Sequence, residues 1–459
     1  MRSGPAAADV LHPPGPRGGA PVRSILALRR DVLGMLERMH RRYGDVVRWR
    51  VGAIPFYLVA DPEGVRDVLV TRHRLFIKSR ALQRARVLLG HGLLTSEGDF
   101  HLRQRRLAQP AFHRERIAAL AGEIAALSAR MAEGWTAGTT LDVGREMNRM
   151  TLAIAGRTLF GAAVEEEADE IGRALTDALG LFTRLSNPLA PLLDRLPVPG
   201  TLRFHRARER LDSTILRIIE ERRRSGVDRP DLLGLLLAAR DEEGDGGGMT
   251  DEQLRDETLT LFLAGHETTA NALAWTWHLL GAHPEAEARF HAEIDDVLGG
   301  RTPGAEDAAA LPYTRGVFAE AMRLFPPAYL IGREPKEDFV LGGFRIRRGS
   351  VVLLSPWLAH RDPRFWDAPL EFRPERWTPE AEAALPRFTY FPFGGGPRKC
   401  IGEGFAWMEG ILALATLGQR WRLRPVPGAV PRPEPLITLR VKELRMMLEP
   451  RRGVRGAGS

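Results

Sequence analysis

The stretch that decides the fold is FPFGGGPRKCIGEGFA, residues 391–406, which holds the only cysteine among the 459 residues of the chain. One cysteine excludes an intramolecular disulfide framework and every metal site built from several cysteines, such as zinc ribbons and iron–sulfur clusters. A cysteine alone in a glycine-rich turn is then either a buried structural residue or the centre of the chemistry. Four neighbours stand at fixed offsets around Cys400, a combination that this composition produces by chance about once in 20,000 trials: Phe393, Gly396, Arg398 and Gly402.

The composition indicates a folded protein that is soluble in water. Hydrophobic residues make up 44% and charged residues 27% of the chain, and the mean hydropathy is −0.21. These values argue against disordered, fibrous and polytopic membrane proteins. The N-terminal residues contain no apolar run long enough for a signal peptide or a membrane span, so we expect a cytoplasmic protein without a membrane anchor.

The charge of the chain favours a protein partner over a nucleic acid. The net charge of +8 comes almost entirely from arginine, because lysine occurs only at positions 78, 336, 399 and 442. The basic residues are scattered, and no basic tract alternates with aromatic residues as a nucleic-acid groove requires. We therefore expect no nucleic-acid binding, whereas an acidic protein that docks on a basic face fits the charge.

Local patterns predict a chain that is mainly α-helical with a small β-rich portion. An amphipathic helix is expected near residues 24–43, followed by a β-hairpin over 46–51 and 54–60. Asp61 and Pro62 are the N-cap and first residue of the next helix. Helical periodicity then dominates from Asp99 to about residue 298.

The length by itself allows about three domains or one large core. No internal repeat or linker divides the chain. We therefore predict a single domain over residues 23–450, preceded by a flexible or extended Pro/Gly-rich lead-in at 1–22 and followed by a disordered tail at 451–459.

The best-defined helix is predicted over residues 250–282. Thr250 and Gln253 form a capping-box pair, and Gly281 with a proline three residues later marks the end. At 1.5 Å per residue such a helix is roughly 48 Å long and crosses a whole domain. Its middle, AGHETT at 264–269, is polar where a buried helix should be most apolar, which indicates a functional segment.

The cysteine segment resembles the haem-binding loop of the cytochrome P-450 superfamily, whose pattern is F-x-x-G-x-R-x-C-x-G. The resemblance, closest to soluble bacterial members, extends over about residues 40–445. It implies the superfamily's fold, a triangular α-helical prism around a buried haem b with a small β-rich portion. It also implies that Cys400 opens a helix whose positive end favours the thiolate, and that this thiolate is the axial ligand of the haem iron. Gly402 and the other loop glycines would let the backbone approach the haem, Arg398 would pair with a propionate, and Phe393 would cover the sulfur.

A second segment, at 320–323, matches the superfamily's E-x-x-R helix, which places Glu320 and Arg323 on one helical face. The spacing has little weight alone, because this arginine-rich chain repeats it elsewhere and an exposed helical ion pair is the ordinary explanation. The run FRPERW at 372–377 supplies a partner, Arg376, as the superfamily's PERF-like segment does. The resemblance thus implies a buried structural triad that holds the cysteine loop and carries no chemistry.

The polar segment of the long helix resembles the superfamily's distal-helix signature A-G-x-[ED]-T-T. The resemblance implies that Ala264 and Gly265 lie where the helix widens to admit dioxygen, the co-substrate. It also implies that Glu267 and Thr268 form the acid and alcohol pair that delivers protons to it. The alternative is a pair of threonines that bond back to carbonyls in an ordinary helix. A zinc protease is excluded, because H-E-x-x-H fails at position 270, which is alanine.

Three more residues are implied as partners of the haem propionates. His101 and Arg105 stand four residues apart in DFHLRQRRLAQPAF, which resembles the superfamily's C helix, and both can donate to a carboxylate from one face. Arg333 follows FPP at 325–327 at the position of another propionate arginine. For Arg333 the alternative is a surface arginine.

The activity that follows from the resemblance is that of a haem-thiolate monooxygenase, which hydroxylates or epoxidises an apolar organic molecule such as a lipid or terpenoid. We expect no flavin- or NADPH-binding domain after the last β segments. We therefore expect a monomer that receives electrons from a separate ferredoxin or flavodoxin with its NAD(P)H-dependent reductase. The proximal docking face for that carrier is expected to include five basic residues: Arg103, Arg106, Arg114, Arg398 and Lys399.

Two other functions stay open at this point. The first is a peroxide-driven peroxygenase of the same fold, although such members usually lack the acid and alcohol pair. The second is a non-catalytic haem-binding protein, which would have no need of that pair.

Family position implies a substrate pocket that is almost entirely apolar, which favours a lipid-like or terpenoid guest. Most of its residues would also fit a plain hydrophobic core. They are Phe182, Leu185, Leu259, Phe262, Leu263, Ala328, Leu330, Ile331, Leu436 and Ile437.

Overall fold

The computed structural model describes residues 11–16, 31–162, 171–174, 199–226, 229, 231–241, 244 and 246–451. Helices predominate among them, as the sequence predicts. In chain order the helices are α1 (Val32–Tyr43), α2 (Pro62–Arg66), α3 (Arg80–Arg84), α4 (Arg86–Leu89), α5 (Gly98–Ala108), α6 (Arg114–Ala119), α7 (Ala121–Glu133), α8 (Val143–Phe160), α9 (Pro199–Ser225), α10 (Leu232–Ala238), α11 (Asp251–Ala282), α12 (Pro284–Leu298), α13 (Asp307–Ala310), α14 (Pro312–Leu324), α15 (Pro356–Ala359), α16 (Pro379–Ala384) and α17 (Glu403–Gly418).

The strands are short and form small sheets. The largest sheet has five strands in the order β1-β2-β8-β5-β3, a second has the order β4-β12-β9, and β6-β7 and β10-β11 are two-stranded. The strands are β1 (Val46–Val51), β2 (Ile54–Val59), β3 (Phe76–Lys78), β4 (Thr140–Asp142), β5 (Ile331–Pro335), β6 (Phe339–Leu341), β7 (Phe344–Ile346), β8 (Val351–Leu354), β9 (Trp421–Pro425), β10 (Arg432–Pro435), β11 (Leu439–Lys442) and β12 (Arg445–Pro450).

One compact unit of the chain comprises residues 1–84, 328–370 and 385–400. Its centre is the five-stranded sheet, in which every residue of β8 is buried. The core against this sheet includes Tyr57, Phe76 and Phe391. Because burying an aromatic side chain contributes about 1.5–3 kcal/mol, Phe391 anchors the start of the cysteine loop to this core.

A second compact unit comprises residues 85–327, 371–384 and 401–459. The helix α11 is 32 residues long and packs along α8, while α17 packs on α7. The apolar residues of α11 are buried on almost all sides, which is typical of a helix at the centre of a large core. The side chains in the middle of α11 are therefore held by a rigid frame.

The local sequence signals at helix ends are confirmed. Thr250 caps α11, and both bonds of the predicted capping box with Gln253 are present. Asp61 caps α2 by accepting a hydrogen bond from the Gly64 amide at 2.8 Å. The predicted hairpin is the antiparallel pair β1 and β2, with Gly52 at φ +62° in its turn.

The N-terminal predictions fall partly outside the described residues. The first described helix begins at Val32, with Asp31 as its cap, and the predicted start near residue 24 is not among the described residues. In the predicted lead-in, residues 11–16 are described, and the Pro14 carbonyl accepts a hydrogen bond from the Arg48 amide at 2.8 Å. Within the described ranges, no helix has an apolar stretch suited to crossing a membrane.

Candidate active site

The cysteine loop is a tight turn held by backbone hydrogen bonds. The Cys400 amide donates to the Phe393 carbonyl at 3.0 Å, and the Lys399 amide donates to the Gly396 carbonyl at 3.0 Å. Gly396 has φ +68°, and a Cβ added there would lie 2.0 Å from the Leu69 carbonyl oxygen. Only glycine satisfies both the left-handed conformation and this close approach, so the pattern residue Gly396 is required by the geometry of the loop.

Two arginines of the predicted site are fixed to the five-stranded sheet. The Arg398 guanidinium donates to the Phe76 carbonyl of β3 at 3.0 Å. Arg333 lies on β5, which pairs with β3 so that Arg333 stands opposite Lys78. The side chain of Arg333 is buried, with 8% exposure, which rules out the alternative of a surface arginine.

Cys400 is exposed and does not open a helix. The next helix, α17, begins at Glu403 with Gly402 as its N-cap residue, and Ile401 and Gly402 form a turn. The predicted start at Cys400 is therefore wrong by three residues. The cause is that Gly402 takes φ −87° and ψ 14°, which is not helical, so the regular helix starts only after it.

The middle of α11 has an accessible stripe, which consists of Ala264, Gly265 and Thr268. Ala264 is exposed, and Gly265 and Thr268 are half-exposed, whereas Leu263 and Thr269 on either side are buried. Gly265 would accommodate a Cβ in ordinary contact with Leu159 at 3.5 Å, so no steric clash within this unit requires glycine there. An apolar residue exposed in the middle of a core helix marks a surface that a bound group can cover.

The hydroxyl of Thr268 donates to the Ala264 carbonyl at 2.9 Å, as the alternative of an ordinary helix anticipated. A hydroxyl has one proton. Because that proton is used within the helix, the oxygen of Thr268 is left to accept a hydrogen bond from a molecule that reaches the stripe.

His266 precedes the acid and is buried. Its Nδ1 lies 3.0 Å from the Phe262 carbonyl oxygen, and desolvation by burial lowers the pKa of the His266 imidazole below its usual value. The ring is therefore neutral at neutral pH. It packs inside the core and does not reach the accessible stripe.

Glu267 is directed toward the hairpin of β10 and β11. The Thr438 hydroxyl donates to Glu267 Oε1 at 2.9 Å, and Arg440 Nε lies 3.4 Å from the same oxygen. Among the contacts of the described residues, Glu267 and Thr268 bond to other groups and not to each other. Sequence reasoning missed Thr438 and Arg440, because they are more than 170 residues away in the chain.

The predicted triad is assembled around the carboxylate of Glu320. Glu320 and Arg323 are fully buried and form a two-pronged ion pair with both N···O distances at 2.8 Å. The Arg376 Nε donates to Glu320 Oε1 at 2.9 Å. Two further donors, the Arg373 amide at 3.0 Å and the Trp377 indole at 2.8 Å, complete the shell and were not foreseen from the sequence.

His101 and Arg105 lie on α5 as expected, with His101 buried and Arg105 half-buried. Two arginines of the same helix have structural partners. Arg106 makes a two-pronged ion pair with Asp241 at 2.8 Å, and Arg103 donates to the Gly247 and Gly248 carbonyls. Both arginines therefore hold the segment before α11, and their part in a docking face stays a prediction.

The predicted pocket residues divide into three groups. Leu259 and Phe262 have no accessible surface, and Phe262 packs against Phe160 at a centroid distance of 5.6 Å, so both belong to the core and not to an accessible wall. Phe182 and Leu185 lie outside the described residues. The others retain some accessible surface: Leu263, Ala328, Leu330, Ile331, Leu436 and Ile437.

The residues present fit a thiolate-bound haem. An exposed thiol ends a loop whose Gly396 permits close backbone approach. On α11, Ala264 is exposed to solvent among the described residues. Cys400 is the residue that would supply the single soft ligand that haem-thiolate centres use. Imidazole and guanidinium groups at His101, Arg105, Arg333 and Arg398 are donors suited to propionates.

Comparisons with known proteins identify the family of the chain. The family model described as cytochrome P-450 matches residues 13–448. Cyclooctatin synthase of Streptomyces melanosporofaciens is 43% identical over 95% of this chain and 95% of its own length, and cyclooctat-9-en-7-ol 5-monooxygenase of the same organism is 42% identical over 89% of each. Pentalenene oxygenase of Streptomyces avermitilis is 39% identical over 89% of this chain and 91% of its own length.

A solved structure of a cytochrome P-450 superposes on the chain with a TM-score of 0.84 and 26% sequence identity, covering 97% of this chain and 100% of that chain. Fold, family model and full-length relatives all agree with the cysteine loop. The chain therefore belongs to the cytochrome P-450 family.

Proposed function

We propose that this haem-thiolate monooxygenase hydroxylates or epoxidises a cyclic terpenoid. The observation that carries the proposal is the likeness, at 39–43% identity over 89–95% of the chain, to relatives named for cyclooctatin, cyclooctat-9-en-7-ol and pentalenene. The accessible residues of the predicted pocket are all aliphatic, and an aliphatic wall suits a hydrocarbon skeleton.

The cofactor in this proposal is haem b, with Cys400 as its iron ligand. When bound, the haem supplies an iron centre whose thiolate ligand favours cleavage of the O–O bond. His101, Arg105, Arg333 and Arg398 would hold its propionates through charge-assisted hydrogen bonds. The triad around Glu320 stabilises the fold and takes no part in the chemistry.

In this proposal, Thr268 and Glu267 of α11 take part in proton transfer. The hydroxyl oxygen of Thr268 accepts a hydrogen bond from a water molecule beside the co-substrate, since its own proton is donated to Ala264. Glu267 is the nearest acid along the helix, and it takes up a proton from water and passes it on. Ala264 and Gly265 leave the space beside Thr268 open.

Electrons reach the protein from a ferredoxin or flavodoxin with its NAD(P)H-dependent reductase. Arg114 and Lys399 are exposed and suit an acidic carrier. We propose that the protein works as a monomer.

The substrate class is tested by titrating the haem-loaded protein with cyclooctat-9-en-7-ol, pentalenene and, for comparison, lauric acid. We expect at least one of the two terpenoids to shift the haem absorption spectrum toward the high-spin form, because a guest that fits the apolar pocket displaces water. A shift with lauric acid alone would overturn the terpenoid proposal.

Turnover separates the monooxygenase from a peroxygenase. With a ferredoxin, its reductase, NADPH and isotopically labelled dioxygen, the terpenoid that binds is expected to gain one labelled oxygen atom. Product formed only with added hydrogen peroxide, and none with dioxygen and the reductase system, would assign the peroxygenase reaction instead.

A further inference from the structure

The hairpin of β10 and β11, residues 432–442, is joined to the polar middle of α11 by four side chains, two from the hairpin and two from the helix. Thr438 stands in the turn just before β11, and Arg440 is the second residue of β11. Thr438 bonds to Glu267, and the Asn271 amide, one helical turn further along α11, donates to the Thr438 hydroxyl at 3.1 Å. Glu267, Asn271 and Thr438 are all buried, so these bonds are shielded from solvent.

The direction of each hydrogen bond in this group is determined by chemistry. A carboxylate can only accept, so Thr438 must donate its one proton to Glu267. The hydroxyl oxygen then accepts from Asn271, whose amide nitrogen can only donate. Arg440 adds a positive charge 3.4 Å from the oxygen that receives the Thr438 proton. Burying a carboxylate costs free energy unless the group is paired with a positive charge and hydrogen-bonded. Arg440 supplies the charge, and Thr438 supplies the hydrogen bond.

The arrangement holds the acid away from the alcohol. The carboxylate of Glu267 is bonded to the hairpin, while Thr268 is bonded back to the helix. For Glu267 to pass a proton toward the accessible stripe, its carboxylate must take up a proton from water, and it must leave Thr438 and Arg440 or be linked to the stripe by water. Stronger contacts of Thr438 and Arg440 with Glu267 therefore make Glu267 less available for proton transfer to the stripe.

The same turn carries two of the predicted pocket residues. Leu436 and Ile437 immediately precede Thr438 and retain accessible surface. The turn is held by the Leu436 amide, which donates to the Thr438 carbonyl at 3.0 Å, and by the Leu439 amide, which donates to the Pro327 carbonyl at 2.9 Å. A molecule that contacts Leu436 and Ile437 therefore contacts the turn that positions Thr438, the residue that bonds to Glu267.

We propose that Thr438 and Arg440 are positioning residues for the proton-donating acid Glu267, and that the 432–442 hairpin couples substrate contact at its turn to proton supply on α11. This rests on the proposed function, because the role of Glu267 does. The hairpin residues touch neither the haem nor the reacting atoms in this proposal; they act through the acid.

The first test measures coupling, the amount of product formed per electron pair consumed, with cyclooctat-9-en-7-ol, a ferredoxin and its reductase. Thr438→Val removes the hydroxyl at constant shape, and Arg440→Gln removes the charge. We expect each to lower coupling at least about three-fold, with hydrogen peroxide rising in proportion, while the Kd from the spectral shift stays within about two-fold. Unchanged coupling in both variants would overturn the proposal.

The controls distinguish positioning from a loss of local structure. Thr438→Ser keeps the hydroxyl and Arg440→Lys keeps the charge, so both are expected to retain most of the coupling. Lys442→Gln removes an equal charge from the exposed end of the same strand and should match the wild type. If coupling falls only in proportion to a weaker Kd, the hairpin acts through substrate packing and the positioning role is wrong.

A second test needs no substrate. Thermal unfolding midpoints are compared for Thr438→Val, Glu267→Leu and the double variant. If the two side chains hold each other, the double variant loses less than the sum of the two single losses, since each single change leaves a buried group unpaired. Additive losses would contradict the contact itself. Failure of the wild type to oxidise cyclooctat-9-en-7-ol would instead count against the proposed substrate, and the unfolding comparison would then decide the inference alone.

Discussion

At the scale of single residues, the cysteine loop shows why its sequence pattern is so specific. Gly396 is required by a positive φ and by the Leu69 carbonyl beside it, and Arg398 is tied to the Phe76 carbonyl. Both constraints come from the backbone of the sheet region and not from a ligand. The position of Cys400 is therefore fixed by contacts within the protein.

Replacing Cys400 by serine is expected to abolish the thiolate signature. The reduced wild-type protein under carbon monoxide should show the strongly red-shifted Soret band of a thiolate-bound haem, because the soft, electron-rich sulfur donates to iron. The Cys400→Ser variant should lack that band. Lys399→Gln, an exposed neighbour in the same loop, should keep it. A red-shifted band that survives in Cys400→Ser would assign the ligand to another residue.

At the scale of secondary-structure elements, a contact can be predicted from the sequence when its two residues are close together along the chain. The capping box at Thr250 and the cap at Asp61 involve residues three apart, and both were predicted correctly. The partner of Arg106 is Asp241, which is 135 residues away, and no local pattern indicates it. The start of α17 was misplaced because the conformation of Gly402 is set by the loop and not by helix propensity.

The helix α14 depends on a single carboxylate that serves several donors. Trp377→Phe removes the indole donor from buried Glu320, and we expect a loss of about 1–3 kcal/mol in the free energy of unfolding, since a charged acceptor is left short of a bond. Unfolding of the variant and the wild type by denaturant measures this difference in the free energy of unfolding.

The matched control for that change is Trp366→Phe. Trp366 is also buried, but its indole donates to the neutral carbonyl of Ala359 at 3.1 Å. Hydrogen bonds to charged groups are roughly twice as strong, so this variant should lose less. Equal losses in the two variants would show that the charge of Glu320 adds nothing to the indole bond.

At the scale of the whole molecule, buried histidines make stability depend on pH. Burial lowers the pKa of His266, His278 and His291 below the usual value of 6.5. The unfolded chain therefore binds protons below about pH 6.5 that the folded chain does not, and stability is full above this value and falls as the pH decreases toward the folded pKa values.

The measurement is the unfolding midpoint between about pH 7.5 and 5.5. We expect the midpoint to fall over this range, and to fall less in His266→Gln than in the wild type. His113→Gln, at an exposed position, should show the wild-type dependence. An identical slope in all three proteins would exclude His266 as a contributor.

The family and the mainly helical fold were predictable, because they are encoded in short motifs with fixed spacing. The surroundings of Glu267 were not, since Thr438 and Arg440 reach it only through the folded chain. The same holds for Leu259 and Phe262, which a helical pattern marks as apolar without telling core from pocket wall.

The shell around Glu320 also bears on the order in which the protein is completed on the ribosome. Glu320 and Arg323 are synthesised some 50 residues before Arg373, Arg376 and Trp377, which supply three of the donors to the same carboxylate. Until residue 377 has emerged, α14 carries a charged pair that cannot be buried without a penalty. The core around α14 must therefore form late in synthesis, after most of the helices that surround it have emerged from the ribosome.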